Sequence, residues 1–253
     1  WLRALVEVAE SAPRIGAVGS RLLDPDGTLQ EAGSILWSDG STQPVGRGLP
    51  AGNTKYERVR DVDYCSACGL LVKREAWEAV GGFDERYHPA YYEDVDLCLS
   101  LRAHGYRTVY APEARVVHHG GASSSEGLRL AAGMRSGRLF AAKWAAELHE
   151  YCPPPRPASH SASVAEAIHR AESRPLPPLR PPDGPAARTH PTEADLLRAE
   201  VRALQGEVAL LRSELARRER EHAKLERIRS AAWRVPGGRR ATEWLSRRLG
   251  SGS

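Results

Sequence analysis

The chain has 253 residues, with 36 Lys and Arg against 32 Asp and Glu and a formal net charge of +4. Four cysteines are too few for a disulfide scaffold at this length, and the sequence contains no run of about 18 apolar residues that would predict a membrane-spanning helix. Residues 1–152 hold 17 Lys and Arg against 20 Asp and Glu, a net charge of −3. The basic excess therefore belongs to the rest of the chain, which argues against nucleic-acid binding by the first part.

Residues 1–152 alternate helical and extended patterns, which predict an α/β layered domain. The helical patterns lie at 1–10, 75–80, 93–104 and 126–149. Extended patterns lie at 15–18, 59–64, 69–72, 106–110 and 115–117. Asp24-Pro25-Asp26-Gly27 predicts a hairpin turn, and residues 28–57 predict hairpins and a surface loop.

Residues 153–190 contain ten prolines, which predict a Pro-rich linker in the polyproline II conformation that acts as a spacer. Docking of this segment to an SH3-like partner is the alternative interpretation. No basic segment followed by an apolar core opens the chain, so the sequence predicts a cytoplasmic protein.

The tail changes to a heptad pattern, which predicts a coiled coil over 191–230 and a basic tail over 231–253. The apolar seam follows 4-3-4-3-4 spacing through Leu197, Val201, Leu204, Val208, Leu211 and Leu215. Branched residues at one seam position with leucine at the other favour a two-stranded coil, so the expected partner is a second copy of the chain. The basic excess leaves peripheral contact with the inner face of a membrane open.

Three carboxylates, Glu93, Asp94 and Asp96, stand at the start of the helix predicted over 93–104. Acids at a helix start complement the helix dipole and the free N–H groups, and this interpretation suffices for Asp96. It does not explain the two aromatic residues Tyr91 and Tyr92 that precede them. Because sugars stack on aromatic rings and a sugar hydroxyl loses a proton when it attacks, this pattern is typical of a base at an acceptor site.

The order and spacing of several motifs resemble bacterial family 2 glycosyltransferases, and in particular the rhamnosyltransferase-like members that build surface polysaccharides. The motifs are Gly81-Gly82-Phe83-Asp84-Glu85, Tyr92-Glu93-Asp94-Val95-Asp96-Leu97-Cys98, Gly105-Tyr106 and Val117-His118-His119. The resemblance extends over residues 1–149 and includes Leu22 to Gly27, Asp63 to Cys68 and Ala142-Lys143-Trp144.

The resemblance implies a GT-A fold and an inverting glycosyltransferase that moves a sugar from a nucleotide-sugar donor to a glycan or lipid-linked acceptor. In that family a divalent cation, Mn²⁺ or Mg²⁺, neutralises the nucleotide diphosphate, and a carboxylate deprotonates the acceptor hydroxyl. In this sequence the resemblance implies Asp94 as the base, with Glu93 in support, and His118 as the metal ligand. The residues that it implies for substrate binding are Tyr91, Tyr92, Asp84 and Ser66. A structural role at the strand end is the alternative for His118, and His119 is the weaker metal candidate.

The chain also departs from the family pattern, because the donor-binding half with its Asp-x-Asp motif would precede Trp1. The sequence therefore predicts only the acceptor-side half of a GT-A domain, inactive by itself, with the cation expected only in the complete domain. The alternative function is a non-enzymatic coiled-coil assembly module that carries a degenerate half-domain. Cys65 and Cys68 favour core packing over zinc or redox chemistry, and Trp37 and Trp77 favour core packing over sugar stacking.

Overall fold

The computed structural model describes residues 1–120, 126–155, 160–180, 212, 215–220 and 222–223. The chain divides into two compact units, Trp1–Thr192 and Glu193–Ser253. The predicted coiled coil over 191–230 lies almost wholly outside the described residues, and the basic tail over 231–253 lies entirely outside them. Residues 212, 215–220 and 222–223 are helical. Within the described part of the chain, no helix combines the length and the apolar character that a membrane span requires.

The first unit is built on a five-stranded mixed sheet whose central strand is β1. The strands are β1 (Ile15–Leu23), β2 (Leu29–Glu31), β3 (Ser34–Leu36), β4 (Thr42–Pro44), β5 (Arg60–Asp61), β6 (Leu70–Val72) and β7 (Arg107–Val117). β1 pairs in parallel with β7 and antiparallel with β2 and β6, and β5 pairs antiparallel with β7. β3 and β4 form a separate hairpin.

The helices cover this sheet and confirm the predicted α/β fold class. They are α1 (Leu2–Glu10), α2 (Arg74–Val80), α3 (Glu93–Ala103), α4 (Glu126–Lys143), α5 (Ala145–Leu148) and α6 (His160–Ser173). Leu5 and Ala9 of α1 pack on Ile15 and Val18. Apolar residues of α2 and α3 form a second cluster with Ala17 of β1. A strand covered on both faces is mostly apolar, as β1 is apart from the buried Ser20 and Arg21.

The parallel pair β1 and β7 brings two chain segments together at one edge of the sheet. The backbone N–H of His118, just after β7, donates to the carbonyl of Leu23 at the end of β1 (2.9 Å). The predicted hairpin turn follows β1, with the Gly27 N–H bonded to the Asp24 carbonyl (2.9 Å) and Gly27 at a φ of 84°. In α/β sheets, ligands bind outside the carboxyl ends of the strands, so this edge is where a site is expected.

β7 is one strand where the sequence predicts two, over 106–110 and 115–117. The pairing runs from Ser20 with Ala111 directly to Arg21 with Arg115, so β7 carries extra residues at 112–114. Pro112 has no N–H group to donate to a ladder. A bulge accommodates it, and the strand continues beyond the point where the sequence predicts a break.

Asp96 has a larger role than the helix-start role predicted for it. It is 2% exposed and accepts hydrogen bonds from Tyr87 Oη (3.1 Å), Trp144 Nε1 (2.7 Å) and Lys143 Nζ (2.8 Å). Lys143 ends α4 and Trp144 follows it. This buried network therefore ties α3 to the end of α4, within the region predicted as one helix over 126–149.

Part of the stretch predicted as a Pro-rich linker is the helix α6. Its buried Ala167 belongs to the same apolar cluster as Leu29 and Trp37. Arg170 forms an ion pair with Asp63 and lies over the Tyr151 ring, 4.2 Å from its centroid. The prolines of 153–190 all lie outside His160–Ser173, and the alanine-rich sequence between them favours a helix.

Candidate active site

A cleft of about 1110 Å³ opens at the sheet edge where β1 and β7 end. It is lined by residues that follow these strands, by β2, by the loop after β5, by the β3–β4 hairpin and by the first turn of α3 together with α4. Five of the predicted site residues line it, namely Ser66, Tyr91, Tyr92, Asp94 and His118. Glu93 and Asp84 are not among the lining residues, and neither is His119.

Two tyrosines with left-handed backbone conformations lead the chain into α3. Tyr91 has a φ of 75° and Tyr92 a φ of 69°. Such conformations cost about 1–3 kcal/mol each for non-glycine residues and persist only where the surroundings hold them. Tyr92 Oη donates to the Gly40 carbonyl (3.1 Å), and its ring lies 5.2 Å from that of Phe140. Tyr91 is 36% exposed, which leaves its ring open to the cleft.

Asp94 is the carboxylate that the first turn of α3 presents to the cleft. Its Oδ1 accepts the N–H of Val95 (2.8 Å), and its Oδ2 accepts the N–H of Ala67 (3.2 Å). Burial raises the pKa of Asp94, and these backbone hydrogen bonds oppose the rise without cancelling it. A carboxylate that binds a proton more readily than an ordinary aspartate suits a general base.

Glu31, at the end of β2, is a cleft residue that no sequence pattern predicts. It is 5% exposed, and its Oε1 accepts the N–H of Ser66 (2.9 Å). Burial raises the pKa of Glu31 to about 7, although the Ser66 N–H lowers it; the charge of Asp94 adds to the rise. Nothing local in the sequence distinguishes this residue from a surface glutamate after a turn, because its burial comes from the loop after β5.

His118 lies beside a second polar chain at the cleft edge. Its Nδ1 is 2.6 Å from Gln30 Oε1, and Gln30 Nε2 donates to Asp24 Oδ1 (2.7 Å). Because an amide oxygen accepts, the Nδ1 of His118 is the donor in this hydrogen bond, and its Nε2 is the ring nitrogen left to face a metal. A polar partner on one ring nitrogen is the usual environment of a metal-binding histidine.

The described residues include no group of three or more His, Cys, Asp or Glu side chains that could hold a metal ion. Cys65 is buried and packs as predicted, and its pKa is raised well above the ordinary value by burial. Cys68 is an exposed free thiol, so the core-packing prediction does not hold for it. Trp37 is 2% exposed, as predicted, whereas Trp77 is 37% exposed and packs edge-on against Phe83.

The structure places Asp84 and Glu93 beside the cleft rather than in it. Asp84 forms ion pairs with Arg86 and with Lys143 (2.9 Å). Burial by itself would raise the pKa of Asp84. The hydrogen bonds from Arg86 and Lys143 outweigh burial and hold this pKa well below its ordinary value. The Oε2 of Glu93 is buried without a hydrogen-bond partner, and burial together with the Asp94 charge raises the pKa of Glu93.

Sequence comparisons show what this site is similar to. The family model "Glycosyltransferase like family 2" matches residues 54–132. The chain is 39% identical over 130 residues to the O-antigen biosynthesis protein RfbC of Myxococcus xanthus, a match that covers 49% of this chain and 10% of that protein. It is 40% identical over 127 residues to the N-acetylglucosaminyl-diphospho-decaprenol L-rhamnosyltransferase of Mycobacterium tuberculosis, covering 46% of this chain and 41% of that enzyme.

A solved structure, that of GalNAc-T7 with UDP, GalNAc and Mn²⁺, matches with a TM-score of 0.42 and 14% identity, covering 68% of this chain and 36% of that one. The chain spans less than half the length of the two sequence relatives. The family model covers two cleft-lining parts of the chain, the loop after β5 and the tyrosine–acid motif. These matches show that residues 54–132, which include the tyrosine–acid motif and part of the cleft lining, are similar in sequence to glycosyltransferase family 2.

Proposed function

We propose that the chain supplies the acceptor side of an inverting glycosyltransferase, which moves a sugar from a nucleotide-sugar donor to a hydroxyl of a glycan or lipid-linked acceptor in cell-surface polysaccharide synthesis. The observation that carries this proposal is Asp94, which faces a cleft beside Tyr91 and Tyr92 with its pKa raised by burial. The names of two relatives, an O-antigen biosynthesis protein and a rhamnosyltransferase, support the polysaccharide context.

In the proposed reaction Asp94 accepts the proton of the acceptor hydroxyl. The acceptor oxygen forms a bond to the anomeric carbon, the bond from that carbon to the nucleoside diphosphate breaks, and its electron pair leaves with the diphosphate oxygen. The exposed ring of Tyr91 offers a stacking surface for the acceptor sugar. Tyr92, bonded to Gly40 and packed on Phe140, holds the turn that orients Asp94.

The proposed cation has one candidate ligand on this chain, the Nε2 of His118. Asp24 and Gln30 orient the His118 ring, while the described residues do not complete a ligand set. A divalent cation bound there would neutralise charge on the leaving diphosphate. Asp84 is not a metal ligand in this proposal, because it is already paired with Lys143.

The domain organisation belongs to the same proposal. Residues 1–152 form the acceptor-side half-domain, whereas the coiled coil predicted over 191–230 lies almost wholly outside the described residues and stays a prediction. The segment between them includes α6, which packs on the same compact unit as the cleft.

The test is glycosyl transfer by the full product of the gene that encodes this chain, measured as release of nucleoside diphosphate from a panel of nucleotide sugars. Asp94→Asn keeps the shape of the side chain and removes the base, so we expect kcat to fall by about 10²–10⁴-fold. Donor affinity should change little, because Asp94 acts on the acceptor. Asp26→Asn, at the exposed turn after β1, is the matched control. Activity of Asp94→Asn within a few-fold of wild type would contradict the assignment.

A further inference from the structure

Two carboxylates from different parts of the chain are bound to one dipeptide in the cleft. The N–H of Ser66 donates to Glu31 Oε1 (2.9 Å), and the next N–H, that of Ala67, donates to Asp94 Oδ2 (3.2 Å). Glu31 comes from β2, Asp94 comes from α3, and both line the same cleft. Adjacent backbone N–H groups that point at anions stabilise negative charge. The Ser66–Ala67 dipeptide therefore couples the position of Asp94 to that of Glu31.

Glu31 interacts electrostatically with a small set of neighbouring groups. The titratable and charged groups that act on Glu31, or on which it acts, are Asp94 and Cys98 of α3, Arg47 after β4, and Tyr64, Cys65 and Cys68 of the loop after β5. Burial raises the pKa of each thiol and of the phenol, that of Cys98 to about 12. These four groups stay neutral, so among the groups that act on Glu31 only Asp94 and Arg47 contribute charge.

We propose that Glu31 is a positioning residue for the base Asp94: it anchors the Ser66–Ala67 dipeptide, and its negative charge makes Asp94 a stronger proton acceptor. This inference rests on the proposed function, in which Asp94 accepts the acceptor proton. When both carboxylates are ionised, like charges face each other across one loop. Transfer of the hydroxyl proton to Asp94 removes one of these charges, so the step is favoured more strongly than at an isolated aspartate.

The pair should give the reaction a distinctive pH dependence. Burial and the Asp94 charge raise the pKa of Glu31 to about 7. Below this pH Glu31 is neutral and Asp94 loses the assistance of the neighbouring charge. Above it Glu31 is ionised and assists. The wild-type kcat should therefore rise across the neutral range, and a variant with a neutral residue at position 31 should lack this rise.

The experiment compares wild type, Glu31→Gln and Glu31→Asp in the full gene product, with kcat and KM measured between about pH 6 and pH 8. Glutamine keeps the oxygen that accepts the Ser66 N–H and removes the charge. We expect Glu31→Gln to be close to wild type near pH 6 and about tenfold lower in kcat near pH 8, with the KM for the donor unchanged. Glu31→Asp keeps the charge and should retain the pH-dependent rise. The exposed Glu57→Gln is the control and should follow the wild-type profile.

A wild-type to Glu31→Gln ratio that stays constant across this pH range would overturn the proposal, because a purely structural role lowers kcat equally at every pH. If Glu31→Gln does not fold, Glu31→Asp decides: a retained rise supports the proposal and a flat profile overturns it. Failure of the proposed function is recognised separately, because Asp94→Asn would then remain active whatever the profile at position 31.

Discussion

The buried carboxyl of Glu31 should make the folded protein less stable as the pH rises, and Glu31→Gln should remove this effect. Burial raises the pKa of Glu31 from 4.5 to about 7 in the folded state. Between these two values the folded chain keeps a proton that the unfolded chain has released, so the free energy of unfolding falls as the pH increases. Each pKa unit corresponds to about 1.4 kcal/mol, which gives a loss of about 3 kcal/mol from this one group.

Thermal unfolding at about pH 5 and about pH 8 measures this loss without any need for substrate. For a domain of about 150–250 residues, 3 kcal/mol corresponds to about 6–12 °C in Tm. Relative to wild type, Glu31→Gln should therefore gain about 6–12 °C when the pH is raised from the lower value to the higher one. Glu57→Gln, which removes an exposed carboxylate, should show no such gain. An equal Tm difference between Glu31→Gln and wild type at both pH values would refute the reasoning.

Three further variants test the metal ligand and the two buried ion pairs. His118→Ala should raise the Mn²⁺ concentration needed for half-maximal transfer by the full gene product, whereas His119→Ala should not, because only His118 lines the cleft. Asp96→Ala should lower the free energy of unfolding by about 2–5 kcal/mol in urea titrations, since it removes the buried acceptor of Tyr87 and Trp144 and one of the two carboxylate partners of Lys143. Arg170→Met should expose α6 to limited proteolysis, because it removes the buried partner of Asp63; Glu166→Gln, on the exposed side of α6, should not.

Each of these expectations has a result that contradicts it. Equal metal dependence of the two histidine variants would leave His118 as a strand-end residue. If Asp96→Ala lowers the free energy of unfolding by less than about 1 kcal/mol, the contacts of Asp96 contribute no more than a surface ion pair does. Unchanged proteolysis of Arg170→Met would show that apolar packing through Ala167 holds α6 without the ion pair.

The parts of the fold that the sequence predicts are those with local signals. The helix at 93–104 is confirmed as Glu93–Ala103 because its acids stand in the first turn and Gly105 follows its end. The hairpin after β1 is confirmed because Asp26 and Gly27 satisfy the turn within four residues. The tyrosine–acid motif is recognisable for the same reason, since its members are adjacent in the sequence.

The parts that could not be predicted depend on contacts between distant segments. Glu31 is buried, and the N–H group that it binds belongs to Ser66, 35 residues later in the chain. α6 has little apolar character of its own, and it is fixed by Asp63 and Tyr151 on the domain surface. The prolines on both sides of α6 dominate the composition of that stretch and hide the alanine-rich helix between them.

The close packing of the loop after β5 on β1 explains how two distant carboxylates come to share one dipeptide. A Cβ atom added at Gly19 would lie 2.2 Å from the Cβ and Sγ of Cys65, so the loop touches the β1 backbone where a side chain would otherwise stand. At the other end of the loop, a Cβ at Gly69 would lie 2.9 Å from Leu22. With both ends fixed on β1, the Ser66 and Ala67 N–H groups between them reach Glu31 on one side and Asp94 on the other. Core packing by Cys65 and the geometry of the candidate base are therefore consequences of the same contact.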